Sequence, residues 1–138
     1  KGEYVRGAST ITQQLAKNLY LSTEKSVIRK IKELLITISL ERNLSKDRIF
    51  TIYLNVIEWG PGVFGVEAAS QNYFNKSVDQ LSLEEMVRLV AVIPQPLKID
   101  PTEDDDGLYW NARWILDAIR RFAYIDQAQY QTTYDRFQ

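Results

Sequence analysis

Arg6-Gly7-Ala8-Ser9-Thr10-Ile11-Thr12-Gln13-Gln14-Leu15-Ala16-Lys17-Asn18 passes from small, polar residues into an apolar period of four at one point, Thr10. Thr10 with Gln13 three residues on is a T-x-x-Q capping box, which satisfies N–H groups that a helix start leaves orphaned. Ile11, Leu15 and Leu19 follow at the spacing of one helix face, so the pattern predicts a helix opening at Thr10. Ser9, Thr10 and Gln13 suffice for capping. Gln14 is not needed there and invites a ligand. Capping and binding are compatible, because a helix N-terminus favours anions.

The rest of the chain reads as helical with short connections. A second helix is expected from about Lys25 to Arg42, with Val27, Ile31, Leu34, Leu35 and Ile38 facing inward. A third follows a Ser45 cap and carries Ile49, Phe50, Ile52, Tyr53 and Val56. Glu58-Trp59-Gly60-Pro61-Gly62 is a break rich in turn residues. A short helix from about Val66 to Phe74 comes next, then one opened by a Ser82–Glu85 capping box and stopped before Pro94 and Pro96. Residues 97–107 read as an acidic loop, and two helices near 108–123 and 126–137 close the chain. No convincing period-two strand and no internal repeat is present. The expected class is all-α.

The length of 138 residues fits one domain with a real core. The chain has no cysteine and no histidine, which removes thiol chemistry, imidazole bases and Ser-His pairs from it. Its net charge of −1 conceals an asymmetry. Residues 1–50 carry ten Lys/Arg against five Asp/Glu, whereas residues 51–138 carry seven against thirteen. An anionic partner beside the first half, or two solvated faces, would each account for it. No apolar run approaches the roughly 20 residues that span a bilayer. Lys1 stands where a starting Met would, so an upstream segment is expected.

Three groups of residues could carry chemistry. On the second helix Lys25, Arg29 and Lys32 fall within about 60° of one another, and Glu33 lies about 40° from Arg29. Several cations on one stripe suit a pyrophosphate, whose oxygens Arg can fork. A solvated face with an Arg29–Glu33 i,i+4 pair is the plainer reading. Lys17 joins the stripe if the first two helices form a hairpin. The third group is Tyr53-Leu54-Asn55-Val56-Ile57-Glu58-Trp59-Gly60, with Asn55 near a helix end. Trp59 is either a sugar-stacking aromatic or a packed loop anchor. Tyr73, Phe74 and Asn75 read as the last turn of a helix.

In this order the blocks resemble glycosyltransferase family 51, the transglycosylases of bacterial cell-wall synthesis. The second motif of that family is similar to Arg6–Asn18, the third to Arg29-Lys30-Ile31-Lys32-Glu33-Leu34. The fourth is spread over Ser45-Lys46-Asp47-Arg48-Ile49, Tyr53-Leu54-Asn55 and Gly65-Val66-Glu67-Ala68-Ala69-Ser70. Glu58–Gly65 resembles the monofunctional branch.

The resemblance implies a lysozyme-like all-α fold and a hexosyltransferase that polymerises lipid II into β-1,4-linked glycan, serving cell-wall biogenesis and cell shape. The 4-hydroxyl of lipid II attacks the anomeric carbon of the growing lipid-linked glycan, and undecaprenyl pyrophosphate leaves. It further implies that Ser9, Thr10, Gln13 and Gln14 line the donor cleft, with Asn55 also binding substrate. Lys17, Lys25, Arg29 and Lys32 would face the phosphates, and Glu33 would be the second, supporting glutamate. A divalent metal, Mg or Mn, is a candidate cofactor. Implied partners are the substrate, the cytoplasmic membrane through an N-terminal anchor and a cell-division protein, but no nucleic acid. The expected location is the outer face of the cytoplasmic membrane.

The family's base is the Glu of a first motif similar to E-D-x-x-F-x-x-H-x-G, upstream of the second. Only Lys1-Gly2-Glu3-Tyr4-Val5 precede Arg6, and Glu3 matches no motif. The resemblance thus implies residues 1–138 as the C-terminal two-thirds of one N-terminally truncated domain, inactive alone in lipid II polymerisation. Two other readings remain. A lysozyme-like hydrolase or lytic transglycosylase would need an acid Glu in a dry pocket but no cationic stripe. A non-catalytic module for anionic lipid or a division protein would bind vesicles in a salt-sensitive way, indifferent to Glu33.

Overall fold

The computed structural model describes residues 10–20 and 27–138. Among them are seven α-helices and one small hairpin, arranged in two compact units that divide after Ile57. The all-α class expected from the sequence stands.

The first unit comprises α1 (Ile11–Tyr20), α2 (Val27–Asn43) and α3 (Lys46–Val56). The expected capping box opens α1: the Thr10 backbone N–H donates to Gln13 Oε1 at 3.1 Å, and the Gln13 N–H donates to Thr10 Oγ1 at 3.2 Å. Ser45 caps α3 by accepting from the Arg48 N–H at 3.2 Å. α1 packs on both α2 and α3.

Which faces are buried departs from the apolar pattern. In α1 the buried residues are Thr12, Leu15 and Ala16, whereas Ile11 and Leu19 are exposed. In α2 the expected inward set Val27, Ile31, Leu34, Leu35 and Ile38 is exposed, Val27 at 77% and Leu35 at 62%. Its buried residues are instead Glu33, 3% exposed, and Thr37. The helical angles explain how both can hold. Val27, Ile28, Ile31, Leu34, Leu35 and Ile38 occupy an arc of about 120°, with Glu33 on the opposite side of the cylinder. Only one side of α2 can lie on its neighbours, and it is the side of Glu33 and Thr37. The Thr37 hydroxyl donates to the Glu33 carbonyl at 2.8 Å, so it does not add an unpaired polar group to that face. In α3, Ile49 and Tyr53 are buried as expected, but Phe50 is exposed.

The second unit begins with a feature absent from the period-two reading. β1 (Glu58–Gly60) pairs antiparallel with β2 (Val63–Phe64) across the Pro61-Gly62 turn. Strands this short show no alternation. Gly62 holds φ +72°, a conformation glycine reaches without strain, and its N–H donates to Glu58 Oε1 at 2.9 Å. Gly60 has no room for a side chain, since an added Cβ would lie 1.7 Å from the Tyr73 hydroxyl.

α4 (Val66–Phe74) ends at Asn75 in the left-handed region, and a 3-10 turn (Val78–Gln80) leads to α5 (Leu83–Val92). α6 (Asp106–Arg121) and α7 (Gln127–Tyr134) follow, then a last 3-10 turn (Asp135–Phe137). The core gathers Val87, Ala91 and Val92 of α5, Leu108, Ala112 and Leu116 of α6, and Ile99, Tyr130 and Phe137. The acidic loop before α6 is anchored rather than merely solvated. Arg88 donates to the Pro101 and Glu103 carbonyls at 3.2 and 3.3 Å, pairs with Asp104 at 3.4 Å and lies over the Phe137 ring. Asp105 caps α6 by accepting from the Leu108 N–H.

The Ser82–Glu85 capping box forms as expected and is joined by Lys76, whose Nζ lies 2.7 Å from Glu85 Oε1. The Lys76 hydrogen bond, and then the Ser82 N–H, hold the Glu85 carboxyl below the ordinary value of 4.5. A carboxyl depressed by folding adds stability above its unfolded value and loses it as pH falls through its folded one. Glu85→Gln keeps a capping acceptor but loses the ion pair, so a loss of about 0.5–1 kcal/mol is expected at neutral pH. Between about pH 5 and 3 the wild type should lose stability more steeply than this variant. Urea titrations over that range check it, and parallel acid limbs would remove Glu85 from the account.

Candidate active site

The most unusual electrostatics of the first unit centre on Glu33. Its carboxylate takes Lys30 Nζ at 2.7 Å on Oε1 and Arg29 Nη1 at 3.4 Å on Oε2. The Arg29–Glu33 pair read in the sequence is therefore formed, but it is not a solvated one, because Glu33 is buried. A buried carboxylate demands paired cations, and the site supplies two from successive residues. Lys30 lay outside the expected stripe; its i,i+3 spacing to Glu33 was the available signal.

α1 contributes the carboxamides. Gln13 turns back as the acceptor of the capping box, while Gln14 Oε1 accepts from the Tyr53 hydroxyl at 2.9 Å. The two neighbours thus part as the sequence suggested, one serving the cap and the other reaching across to α3. Burial pushes the Tyr53 hydroxyl above its usual pKa, so it remains a donor at neutral pH. Tyr53 stood in a motif but carried no expected role.

The other expected positions sort plainly. Thr10 is exposed and engaged in the cap, and Lys17 and Lys32 are exposed. Ser9 and Lys25 lie outside the described residues. Asn55 does not cap α3: its Nδ2 donates to the Thr51 carbonyl one turn back, at 2.8 Å, and the helix ends beyond it at Ile57. In the second unit Trp59 is 1% exposed, so the packed-anchor reading wins. Among the described residues, no group of three or more His, Cys, Asp or Glu could hold a metal ion. Glu33 itself is already paired to Arg29 and Lys30.

The arrangement is a cation-rich helix braced by one buried carboxylate, beside a helix start that presents carboxamides. It suits binding and charge stabilisation of a phosphate-bearing group. The sequence profile of the transglycosylase family matches residues 1–120. The chain belongs to the transglycosylase family. The lysozyme-like helical fold goes with that membership.

Relatives within the transglycosylases are similar over most of this chain. A biosynthetic peptidoglycan transglycosylase of Methylobacillus flagellatus is 50% identical over 125 residues, 91% of this chain and 54% of the relative. Proteins of the same name from Dechloromonas aromatica and Cupriavidus metallidurans are each 53% identical, over 78% and 88% of this chain. They are covered over 47% and 52% of their own lengths. The chain spans about half the length of the curated relatives it matches.

Proposed function

We propose that this chain serves peptidoglycan glycan polymerisation, with α2 as the cradle of the lipid-linked pyrophosphate. The observation that carries the reading is the burial of Glu33 between Arg29 and Lys30. A carboxylate at this depth is weak evidence for stability, since an apolar side chain of similar volume often serves as well or better. It does orient cations, and oriented cations are what a departing pyrophosphate requires. In the proposed reaction the acceptor hydroxyl gives its proton to the family's first-motif glutamate, which no residue of 1–138 matches, as its oxygen attacks the anomeric carbon; inversion gives the β-1,4 bond, and the electron pair leaves on the pyrophosphate oxygen. Arg29 and Lys30, held by Glu33, take up that charge, and the resemblance adds Lys17, Lys25 and Lys32 to the phosphate-side set. Thr10, Gln13 and Gln14 belong to the donor wall, and the resemblance adds Ser9 to that set.

The same reading extends to location. Peptidoglycan synthesis belongs to the cell envelope, and its substrate is anchored in lipid. No helix among the described residues is long and apolar enough to cross a membrane. The outward arc of α2 supports docking on the outer leaflet of the cytoplasmic membrane, apolar side down, with cations close by. A division protein as a further partner fits the same setting.

Farnesyl pyrophosphate, a short stand-in for the natural leaving group, tests the site by calorimetry. Arg29→Ala is expected to weaken its binding by roughly ten- to a hundredfold, the worth of a charge-assisted contact. Equal affinities for wild type and variant would remove the pyrophosphate role from α2.

A further inference from the structure

Two of the three tryptophans of the chain stand exposed four residues apart on α6, Trp110 at 56% and Trp114 at 66%. At 100° per residue they fall within about 40° of each other, with Arg121 on the line between them. Leu108, Ala112 and Leu116, all fully buried, take the opposite side of the helix. We infer that this outward face binds the β-1,4-linked glycan strand, two sugar rings lying on Trp110 and Trp114 and Arg121 meeting a carboxylate of the strand's peptide branches. The inference goes beyond the pyrophosphate cradle and rests on the function proposed above only for the identity of the glycan.

Single exposed apolar residues are ordinary, but two indoles on one helix face form a patch. Neither makes a hydrogen bond or ring contact among the described residues, so their flat faces and N–H donors are open to a ligand. The helix rise sets them about 6 Å apart along the axis, on the scale of neighbouring rings in a glycan. A pyranose has apolar C–H faces and a polar rim, which match the face and the N–H edge of an indole. Charge decides against a lipid surface, the other ligand that exposed aromatics suit. Residues 58–138 carry seven Lys/Arg against thirteen Asp/Glu, a balance that repels an anionic leaflet. Asp106 and Asp117 border the same face, so it presents no cationic field, and Asp117 accepts from the Tyr130 hydroxyl at 2.7 Å. The sugar backbone of the glycan is uncharged, and its acids hang on the peptide branches. Of the cations along α6, Arg113 donates to the Phe137 carbonyl at 3.0 Å and Arg120 lies 4.6 Å over the Tyr130 ring. Arg121 is exposed and makes no ion pair among the described residues. It stands about 10 Å along the stripe from Trp114, where a branch carboxylate can meet it.

Chitotetraose, an uncharged β-1,4-linked tetramer of N-acetylglucosamine, is the first probe, and a peptidoglycan tetrasaccharide bearing its peptides is the second. Both should shift the indole N–H resonances of Trp110 and Trp114 and leave the buried Trp59 in place as the internal reference. Trp110→Ala and Trp114→Ala should each weaken both probes about three- to tenfold, the worth of one aromatic contact. Arg121→Gln should leave chitotetraose binding unchanged and weaken the peptide-bearing probe about two- to fivefold at low salt. An equal effect of Arg121→Gln on the two probes, or none on either, overturns the carboxylate contact. Unmoved Trp110 and Trp114 resonances in the wild type overturn the platform, whatever the folding of the variants. Trp variants that lose sedimentation with phosphatidylglycerol vesicles but keep their glycan affinity assign the face to lipid and overturn it too. Farnesyl pyrophosphate binding is read on the same protein. If it persists and responds to Arg29→Ala while the glycans do not bind, the platform falls and the function proposed above stands. If the glycans bind as expected and Arg29→Ala is neutral, the cradle falls and the platform stands.

Discussion

Exchanging Arg29 and Lys30 together for Met is expected to destabilise the first unit by about 3 kcal/mol, the range for a buried charge stripped of its partners. Glu33 is the most deeply buried charge described in the chain, and these are the cations at 3.4 and 2.7 Å from it. Removing them strands a carboxylate in the face α2 turns to its neighbours. The converse change, Glu33→Met, should alter stability by no more than about 1 kcal/mol, because it withdraws the buried charge instead of stranding it. Arg29 is partly exposed and Lys30 more than half exposed, so both cations can turn to water. Urea denaturation followed by helical circular dichroism measures the two variants side by side. Equal losses, or a larger loss for Glu33→Met, would contradict the account of the triad. If Glu33→Met retains its fold but loses farnesyl pyrophosphate binding, the carboxylate is there for the ligand.

The second large effect concerns the outward arc of α2. Ile31→Ser with Leu35→Ser should weaken association with phosphatidylglycerol-containing vesicles by about a hundredfold or more. Two large aliphatic side chains transferred from water to hydrocarbon contribute about 1.5–3 kcal/mol each. Both are exposed, so the pair should change folding stability by no more than roughly 1 kcal/mol. Vesicle sedimentation at low and high salt separates insertion from charge attraction, since only the latter is screened. Binding that survives the substitutions but collapses in salt would mean that the cations alone hold the surface. The same exposure makes the isolated chain prone to self-association, which detergent below its lytic range should suppress.

Local signals were legible in the sequence where local chemistry decides the outcome. The Thr10–Gln13 and Ser82–Glu85 boxes and the Ser45 cap each need residues within one turn, and all formed where the pattern put them. The hairpin at Glu58–Phe64 was not legible, because two- and three-residue strands show no periodicity. The orientation of α2 was misread for a different reason. Apolar periodicity identifies an apolar face but not the medium that face meets, and water, protein and lipid give the same pattern. Arg29 and Glu33 were visible as a pair by spacing, yet spacing cannot report burial, which is what turns a solvated pair into a braced site. The Tyr53–Gln14 contact joins two helices far apart in sequence, and no single-helix pattern encodes it.

The opposition of the two sides of α2 also sets a depth. A helix with its side chains is about 10–12 Å across, so Glu33 stands about that far from the middle of the apolar arc. The polar zone of one leaflet is only about 5–8 Å thick. In the proposed docking, with the arc at the hydrocarbon edge, the helix would act as a spacer that sets Glu33 at the outer limit of the headgroup zone, within reach of a polyprenyl pyrophosphate. Drawing each methylene of that tail into water would cost about 0.8 kcal/mol. A cradle at this height would take the headgroup without lifting the chain, and would let the spent carrier slide away sideways in the plane of the membrane.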